Sequence, residues 1–321
     1  MTRILSTREE YGRTLVRLGE RSHDIVVLDA DLSSSTCTAA FAKRFPDRFF
    51  NMGISEQDLI GTAAGMALAG KIPFVSSFAI FLTGRCWEQI RQSVALPGVN
   101  VNLVGTHGGI TVGKDGASHQ ALEDIAVMRA IPAMTVIVPA DAVETRKAVE
   151  AAAWYDGPVY IRLTREKLPV IYPDEKPFRI GAGFEVRPGS DVTLFAVGLM
   201  LHAAIEAAQR LATDGISARV VDLATVKPVD EYLVTRCACE TGCVVTAEEH
   251  SVIGGLGDAV GEVLLRRCPV PMERVGVRDA FGRSGNPQEL LEYFGLTPDA
   301  IVDAARRVVE RKAAGSGAGT K

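Results

Sequence analysis

Asn51-Met-Gly-Ile-Ser-Glu-Gln-Asp-Leu-Ile-Gly-Thr-Ala-Ala-Gly-Met-Ala-Leu-Ala-Gly70 is the stretch around which the chain is organised. It opens with a glycine turn and places one acid, Glu56, at the start of a helix made almost entirely of small residues. Glycine is about 1 kcal/mol less favourable than alanine inside a helix, so this composition lowers helix propensity. In return the helix has a face with little bulk, which predicts close packing against another backbone.

Two interpretations of Glu56 follow from the residues alone. An acid in the first turn of a helix is stabilised by the helix dipole and needs no further role. A carboxyl buried in an apolar interface would instead be a candidate functional acid. The local sequence leaves both interpretations open.

The composition is ordinary for a soluble globular chain. Its 321 residues, 47% hydrophobic and 23% charged, predict about two domains with a sizeable core. The net charge of −4 gives no reason to expect nucleic acid or an anionic membrane as a partner. Apolar runs are strand-sized, so no transmembrane helix is expected. Residues 1–10 lack the apolar core of a signal peptide, which makes the cytoplasm the expected location.

Three of the six cysteines form the pattern Cys237-x-Cys239-x3-Cys243. A metal site of this kind needs a second ligand pair at a suitable spacing, and none follows. Cys243 also begins an apolar run that is typical of a buried strand. The sequence therefore predicts no metal site in this chain, and reduced thiols in a cytosolic protein.

Apolar strand-sized runs alternate with amphipathic stretches through the first half of the chain. We predict strands at Ile25–Asp29, Pro73–Phe78, Val99–Gly105, Thr135–Pro139 and Pro158–Leu163, and helices at Glu9–Leu18, Trp87–Leu96 and Val143–Ala153. This alternation is typical of a mostly parallel sheet. Residues 1–170 are therefore predicted to form one α/β domain.

Prolines and glycines interrupt the pattern before it resumes. Residues 171–190 are predicted to be an interdomain linker, and residues 191–313 a second α/β domain. Its strands are expected at Val192–Val197, Ala218–Asp222, Cys243–Thr246 and Arg274–Val277, with helices near His202–Ala212, Asp230–Cys239 and Gly257–Arg266. The glycine-rich end, residues 314–321, is predicted to be a flexible tail.

Residues able to hold a ligand lie in the first domain, mostly at the carboxyl ends of predicted strands, where open α/β sheets bind ligands. They are Arg8, Asp31, Ser35, Glu56, Phe78, Phe81, the loop His107–His119, and Arg165. The loop holds two of the five histidines together with glycines and an acid, which is an unusual concentration of functional side chains.

Six short motifs occur in one order along the chain. They are Gly53-Ile-Ser-Glu-Gln57 with its small-residue helix, Pro73-Phe-Val-Ser-Ser-Phe-Ala-Ile-Phe81, the loop Thr106–Gln120, Arg129-Ala-Ile-Pro, Val138-Pro-Ala-Asp141 and Leu163-Thr-Arg-Glu-Lys-Leu-Pro169. Together they resemble the pyrimidine-binding half of transketolase, and the second domain resembles the transketolase C-terminal domain. The resemblance implies a thiamine-diphosphate pyrimidine-binding domain with a mostly parallel sheet, followed by a transketolase C-terminal α/β domain.

The resemblance assigns cofactor contacts to four residues. It implies that Glu56 hydrogen-bonds the pyrimidine nitrogen of thiamine diphosphate and favours the imino form, which requires a desolvated carboxyl directed at the ring. Phe78 and Phe81 match aromatic residues that flank the pyrimidine, although both also suit a buried strand. Asp31 matches an acid near the cofactor, or else caps the turn after its strand. The family's next aromatic position falls near Gly84, so one pocket wall departs from the pattern.

Substrate contacts are implied mainly for the histidine loop. His107 and His119 match histidines that contact sugar hydroxyls or phosphate and are suited to move hydroxyl protons. Asp115 matches an acid that reads the configuration of a hydroxyl. Lys114 and Gly108 stand where the family often has acids, and both departures could change which sugar is preferred.

Phosphate recognition needs cations and hydroxyl donors that converge on one point. Arg8, Ser35, His107 and Arg165 match the family's phosphate-contacting positions from four places in the chain. The set favours a phosphorylated sugar over a free one as substrate.

One part of the family pattern is missing. Transketolases hold the cofactor diphosphate through a divalent metal in a domain marked by Gly-Asp-Gly and a later Asn pair, and the chain has neither Gly-Asp-Gly nor a candidate ligand set. We therefore predict the C-terminal half of a split transketolase, inactive alone. An N-terminal transketolase subunit would bind the diphosphate with Mg²⁺ or Ca²⁺, in an α2β2 heterotetramer whose interface includes the helix Asp58–Gly70. Glu248-Glu-His250 and Gly254-Gly-Leu-Gly257 also match the family and are assigned a structural or interface role.

The expected reaction transfers a two-carbon ketol unit from a ketose phosphate to an aldose acceptor. Three alternatives stay open: a specialised transketolase for a branched or sulfonated sugar, the β-subunit of a 2-oxoacid dehydrogenase, and a non-enzymatic regulatory subunit. The oxoacid enzyme would need no phosphate-binding arginines. Retention of Glu56, the loop residues and Arg165 argues against a decayed site.

Overall fold

The chain folds into two α/β domains, and the computed structural model describes residues 3–317 of it, with side chains to residue 314. The helices are α1 (Thr7–Arg21), α2 (Ser33–Thr36), α3 (Ala39–Arg44), α4 (Glu56–Leu68), α5 (Ala79–Gly84), α6 (Trp87–Gln89), α7 (Asp124–Ala130), α8 (Ala142–Ala153), α9 (Met200–Thr213), α10 (Glu231–Thr241), α11 (Leu256–Arg267), α12 (Pro287–Tyr293) and α13 (Pro298–Gly317). The strands are β1 (Ile4–Ser6), β2 (Ile25–Asp29), β3 (Phe49–Asn51), β4 (Ile72–Phe78), β5 (Asn102–Thr106), β6 (Thr135–Ile137), β7 (Val159–Arg162), β8 (Lys167–Pro169), β9 (Phe184–Arg187), β10 (Val192–Ala196), β11 (Ala218–Asp222), β12 (Thr225–Lys227), β13 (Val244–Ser251) and β14 (Met272–Val277). Short 3₁₀ segments cover Pro46–Arg48 and Ile110–Asp115, and Ile90–Ala95 is π-helical.

The first domain is built on a seven-stranded sheet in the order β12-β6-β7-β5-β4-β2-β3. Strands β2 to β7 are parallel to their neighbours, whereas β12 is antiparallel to β6 and comes from the second half of the chain. Strand β2 has the bounds predicted from its apolar run, and all of its residues are buried, as expected for a parallel strand covered on both faces. Because β12 completes this sheet, the two domains are interlocked.

The second domain has a five-stranded sheet in the order β14-β13-β10-β11-β9. Its first four strands are parallel, and the edge strand β9 is antiparallel to β11. A separate two-stranded ribbon pairs β1 with β8 near the end of the first domain. The predicted fold class, two α/β domains with mostly parallel sheets, is confirmed.

The segment predicted to be an interdomain linker is fastened to both domains. Lys176 is buried, and its Nζ donates to Glu144 Oε1 at 2.6 Å and lies 3.7 Å from Asp222 Oδ2. Glu144 belongs to the first domain and Asp222 to the second, so one buried ammonium, paired as burial requires, joins them. The same segment contains β9, which belongs to the second sheet.

The end of the chain forms one long helix, α13, whose bounds reach Gly317. It includes residues 314–317 of the predicted flexible tail, and residues 318–321 of that prediction lie outside the described residues. No helix in the described part of the chain is both long and apolar enough to span a membrane.

The small-residue helix α4 has two different faces. Ala63 and Ala64 are buried, and this is the face that packs closely within the chain. On the other side, a Cβ added at Gly61 or Gly65 would meet no atom within 4 Å, and Leu68 is 70% exposed. These three positions are four and three residues apart and therefore lie on one face of the helix. We call Gly61, Gly65 and Leu68 the glycine face; no described residue covers it.

One pair of cysteines is oxidised in the structure. Cys239 of α10 and Cys268, which follows α11, form a disulfide with their Cα atoms 6.0 Å apart. The expectation of reduced thiols is therefore wrong for this pair, because the packing of α10 against α11 brings together two residues that the sequence separates by 29 positions. Cys237 and Cys243 are buried free thiols. Among the described side chains, no group of three or more His, Cys, Asp and Glu residues is arranged to hold a metal ion.

Candidate functional site

Glu56 is the first residue of α4, and its side chain is only 3% exposed. The turn before it is closed by Asn51, whose Oδ1 accepts from the Gly53 backbone N–H at 3.0 Å, and Gly53 has a φ of +72° that glycine adopts without strain. Ser77 Oγ lies 3.5 Å from Glu56 Oε1, at the long limit of a hydrogen bond. Glu56 is therefore a buried acid rather than a solvated first-turn residue, and one of its oxygens is weakly satisfied.

Arg85 is not among the predicted site residues, yet it is the charged partner of Glu56. Its Nη1 donates to Glu56 Oε2 at 3.0 Å, and its guanidinium lies 4.5 Å from the centre of the Phe81 ring. Gln57 Nε2 holds the backbone carbonyl of Arg85 at 2.9 Å. A cation four residues after Phe81 is visible in the sequence, but its pairing with Glu56 depends on how α4 packs against β4, α6 and the π-helical segment.

Phe78 and Phe81 form an aromatic surface with two histidines. The phenyl rings are nearly parallel, 5.9 Å apart with an interplanar angle of 14°. The His107 ring lies 3.9 Å from that of Phe78, and the His119 ring meets Phe81 edge-on at 5.2 Å. The end of β4, the start of α5 and the loop after β5 thus bring four predicted site residues together.

His107 is held in one orientation and is uncharged at neutral pH. Its backbone has a φ of +57°, and Thr106 Oγ1 lies 2.9 Å from its Nδ1. Burial lowers the pKa of His107 to about 3, with smaller contributions from the positive charges of Arg8 and Arg165. The neutral ring can donate one hydrogen bond and accept another, which suits contact with a hydroxyl.

The predicted phosphate-contacting residues form a cluster. Arg8 bridges helix α2 and the segment between β7 and β8, because Nη1 donates to the Ser35 carbonyl at 2.5 Å and Nη2 to the Arg165 carbonyl at 3.1 Å. Arg165 Nη1 donates in turn to the Val112 carbonyl at 2.6 Å and to Asp115 Oδ2 at 3.0 Å. We call Arg8, Ser35, Asp115 and Arg165 the cation cluster. Its two arginines add to the effect of burial in lowering the pKa of His107.

Asp31 lies at the same edge of the sheet but does not cap the turn after β2. It has a φ of +62°, and it exchanges two hydrogen bonds with the Asn51 side chain, at 3.1 and 2.9 Å. The capping role belongs to Asp29, whose Oδ1 accepts from the Leu32 backbone N–H at 2.6 Å. Asp31 therefore connects the first ligand loop to the turn that positions Glu56.

Glu249 reaches from the second domain to the histidine loop. Its Oε1 accepts from both the backbone N–H and the Oγ1 of Thr111, each at 2.8 Å. The fit is close, because a Cβ at Gly109 would lie 2.1 Å from the Glu249 carboxyl carbon. The Glu248-Glu-His250 motif thus has a structural role that links the second domain to the site. The family motif in the sequence marked Glu249 as a residue of interest. It did not reveal that Glu249 contacts Thr111.

Gly108, one of the departures from the family pattern, has no room for a side chain. A Cβ at this position would lie 2.5 Å from Arg162 Nε. Arg162 is buried and donates to Asp124 Oδ2 at 2.9 Å, and Tyr160 donates to the same oxygen at 2.7 Å. Where the family often has an acidic side chain at this position, the Arg162 side chain occupies the space in this protein. Lys114, the other departure, is exposed.

The buried carboxyl of Glu249 makes the stability of the chain depend on pH. Burial raises its pKa to about 7, against the opposing effects of Arg162 and Thr111. Between pH 4.5 and about 7, the folded protein therefore keeps a proton on Glu249 that the unfolded chain has lost. The stability contributed by this group is full below pH 4.5 and is lost as the pH rises through 7. Between pH 5 and 7.5, we expect the wild type to lose about 2–3 kcal/mol more unfolding free energy than Glu249→Gln.

Urea unfolding of the full chain at several pH values measures this difference. Glu310→Gln is the matched control, because Glu310 is exposed and its removal should leave the wild-type pH dependence in place. Parallel stability–pH curves for the wild type and Glu249→Gln would contradict the assignment.

A buried acid, a flat aromatic surface, two hydrogen-bonding histidines and a cation cluster therefore lie in one continuous region. Such a site can hold a flat heteroaromatic ring at the acid and an anionic ligand at the cations. The structure places the predicted site residues in this region, with Asp31 connected through Asn51, and their roles stay predictions.

Two family models match the chain. Residues 4–170 match Transketolase, pyrimidine binding domain, and residues 181–301 match Transketolase, C-terminal domain. The two ranges together cover nearly all of the first domain and most of the second.

Three individual relatives extend this similarity. A Methanocaldococcus jannaschii protein named "Putative transketolase C-terminal section" is 50% identical over 306 residues, covering 94% of this chain and 95% of the relative. A 6-deoxy-6-sulfo-D-fructose transketolase subunit of Clostridium sp. is 46% identical over 305 residues, covering 95% of each chain. Among solved structures, a split-gene transketolase in an inactive β4 tetramer superposes with a TM-score of 0.90 at 52% identity, covering 96% of this chain and 99% of that one.

Proposed function

Because the chain belongs to the transketolase family and corresponds to the C-terminal section of a split member, we propose that it is one subunit of a two-chain, thiamine-diphosphate-dependent transketolase. The observation that carries the proposal is the buried carboxylate of Glu56 beside Phe78 and Phe81, continuous with the cation cluster. The enzyme would transfer a two-carbon ketol unit from a ketose phosphate to an aldose acceptor.

The residues present fit the pyrimidine end of the cofactor. Glu56 offers a buried carboxylate with one weakly satisfied oxygen, and Phe78 and Phe81 offer apolar surface beside it. When bound, thiamine diphosphate supplies the carbon nucleophile that breaks the bond next to a ketose carbonyl. Glu56 would hydrogen-bond the pyrimidine nitrogen, and its burial strengthens that bond because little water competes for it. Phe78 and Phe81 would exclude water from the ring.

The charged and hydrogen-bonding side chains beside the aromatic surface form the proposed substrate end of the site. Arg8 and Arg165 would orient an anionic group of the sugar, since arginine binds phosphate oxygens in a bidentate manner. His107, neutral at pH 7, would hydrogen-bond a hydroxyl near the reacting carbons, and His119 faces the same aromatic surface. Asp115, which is held by Arg165, would accept a hydrogen bond from a sugar hydroxyl in one configuration and not in the other.

A sulfonated sugar is a second candidate substrate. The Clostridium relative, 46% identical, acts on 6-deoxy-6-sulfo-D-fructose according to its name. A sulfonate is an anion with three acceptor oxygens, so the cation cluster suits it as well as a phosphate. The chain is similar to transketolase sections over most of its length. This similarity supports a transketolase that acts on a phosphorylated or a sulfonated sugar, rather than a 2-oxoacid dehydrogenase subunit.

The partner of this chain would be an N-terminal transketolase subunit that binds the diphosphate and Mg²⁺ or Ca²⁺, in an α2β2 heterotetramer. The chain offers no metal ligand cluster among its described side chains. Its glycine face is open to close approach of another backbone, next to Glu56 on the same helix. The split-gene relative is inactive as a β4 tetramer, which supports the need for a second subunit.

Reconstitution is the test of this proposal. We expect the purified chain alone to show background rates, and the mixture with its N-terminal subunit, thiamine diphosphate and Mg²⁺ to transfer ketol units. A panel of a ketopentose phosphate, a free ketopentose and a 6-sulfo ketohexose distinguishes the two sugar classes. Substantial transfer by the chain alone would overturn the two-chain proposal, and oxidation of pyruvate with an electron acceptor would replace it with the oxoacid alternative.

A further inference from the structure

The ion pair between Arg85 and Glu56 lies where a ring bound to Glu56 would have to enter. The Glu56 side chain is 3% exposed, whereas that of Arg85 is 46% exposed, so the arginine approaches from the solvent side. Its guanidinium covers Phe81 at 4.5 Å and donates to Glu56 Oε2 at 3.0 Å. A single side chain therefore covers both surfaces that the proposed cofactor ring needs.

The charges explain why Arg85 adopts this position in the chain by itself. A buried carboxylate without a partner is strongly destabilising, and among the described residues the other side-chain hydrogen bond of Glu56 is the long one from Ser77 at 3.5 Å. Arg85 neutralises the charge and stacks on an aromatic ring, two interactions that favour the covered state. Both are given up when another group takes the same carboxylate and the same ring face.

The surroundings of Arg85 allow its side chain to leave without unpacking the core. The adjacent position, Gly84, has open space in place of a side chain, since a Cβ there would meet no atom within 4 Å. The backbone of Arg85 stays anchored, because Gln57 Nε2 holds its carbonyl at 2.9 Å. Its half-exposed guanidinium can therefore turn into water while the backbone remains in place.

We propose that Arg85 is a displaceable plug of the cofactor site: it covers Glu56 and Phe81 in the cofactor-free chain and swings out past Gly84 when the ring binds. This inference rests on the proposed function, because it takes the pyrimidine of thiamine diphosphate as the displacing group. The plug keeps the buried acid paired until the cofactor arrives. Its cost is a weaker apparent affinity, because only the uncovered fraction of the molecules can bind.

The central test is Arg85→Met in the complex with the N-terminal subunit. Methionine has a similar length but no charge to pair with Glu56, so the side chain is no longer held over the acid and the Phe81 ring. Thiamine diphosphate is titrated at fixed Mg²⁺ and binding is followed by calorimetry. We expect the apparent Kd to fall about tenfold, because the covered state no longer competes. Arg91→Met, an exposed position in the following π-helical segment, is the matched control and should keep the wild-type Kd.

A second measurement uses the full chain alone and needs no cofactor. Arg85→Met leaves Glu56 buried and unpaired, so its Tm should fall below that of the wild type, and Glu56→Gln in the same chain should restore it. No Tm change in Arg85→Met would show that the ion pair does not protect the acid and would overturn the inference.

The outcomes separate this inference from the proposed function. If the wild-type complex binds thiamine diphosphate and Arg85→Met binds it equally well or more weakly, Arg85 belongs to the bound site and the plug is wrong. If the wild-type complex does not bind thiamine diphosphate at all, the proposed function fails, and the plug fails with it. Tighter binding by Arg85→Met together with its lower Tm supports both.

Discussion

Replacing Glu56 by glutamine is expected to lower ketol transfer by the two-chain complex about 100- to 10,000-fold, the range by which a positioned acid or base accelerates proton transfer. Glutamine keeps the shape of the side chain and can still accept from Arg85 Nη1 and contact Ser77. It cannot exchange a proton with a ring nitrogen. The loss should therefore appear in turnover, with a smaller change in the affinity for sugar.

The fold of Glu56→Gln should remain intact. The substitution removes a buried charge whose partner, Arg85, is half-exposed and can be solvated. We expect a stability change of at most about 1 kcal/mol, as measured by urea unfolding. Glu310→Gln, which removes an exposed acid of α13, is the control and should keep nearly full activity. A turnover of Glu56→Gln within threefold of the wild type would remove the central assignment.

The second large effect is structural and concerns Arg162. We expect Arg162→Met to lower the unfolding free energy by about 3–5 kcal/mol, the cost of leaving a buried charge without its partner. Asp124 would retain the hydrogen bond from Tyr160 at 2.7 Å but lose the one from Arg162 Nε at 2.9 Å. The carbonyl of Glu249 would also lose its donor, Arg162 Nη2 at 2.7 Å.

Two further variants separate the buried charge from other effects of the substitution. Arg146→Met breaks a more exposed ion pair, with Asp174 at 3.0 Å, and should cost only about 0–1 kcal/mol. Adding Asp124→Asn to Arg162→Met removes both buried charges and should restore part of the loss. If Arg162→Met costs no more than Arg146→Met, the buried pair is not important for stability.

The bounds of a strand could be predicted from the sequence where an apolar run covers the whole strand. Strand β2 and strand β11 have the bounds predicted from their sequences. Strand β13 was predicted to end at Thr246 but continues to Ser251. The reason is that Glu248 and Glu249 are polar yet buried. Glu248 accepts from the backbone N–H groups of Leu256 and Gly257 at 2.6 and 2.8 Å, a pairing that hydropathy does not reveal.

Helix geometry shows the same limit. The helix predicted over Trp87–Leu96 begins as α6 and becomes π-helical over Ile90–Ala95. Its apolar periodicity indicates a helix but does not distinguish i to i+4 bonding from i to i+5 bonding. The helix that follows β6 was predicted to start at Val143 and begins at Ala142, where the structure adds that the Asp141 side chain caps it by accepting from the Glu144 N–H.

The candidate site residues could be named from the sequence, and their roles stay predictions, whereas their contacts could not be predicted. Arg8, Ser35 and Arg165 were singled out through motifs, and the structure adds that Arg8 joins the other two through their backbone carbonyls. Asp31 was expected to contact cofactor or cap its turn; the structure shows it paired with Asn51 and gives the cap to Asp29. A side chain that bonds backbone from a distant loop leaves no local pattern in the sequence.

By itself, the sequence determined two α/β domains and most of their buried parallel strands, and it named the candidate site residues. These properties depend on periodicity and on motifs within short stretches of chain. Only the tertiary structure decided that Arg85 covers Glu56, that Glu249 reaches across from the second domain to Thr111, and that Cys239 bonds to Cys268. Each of these joins residues at least 29 positions apart, and their distance is set by how helices and sheets pack rather than by the order of the residues between them.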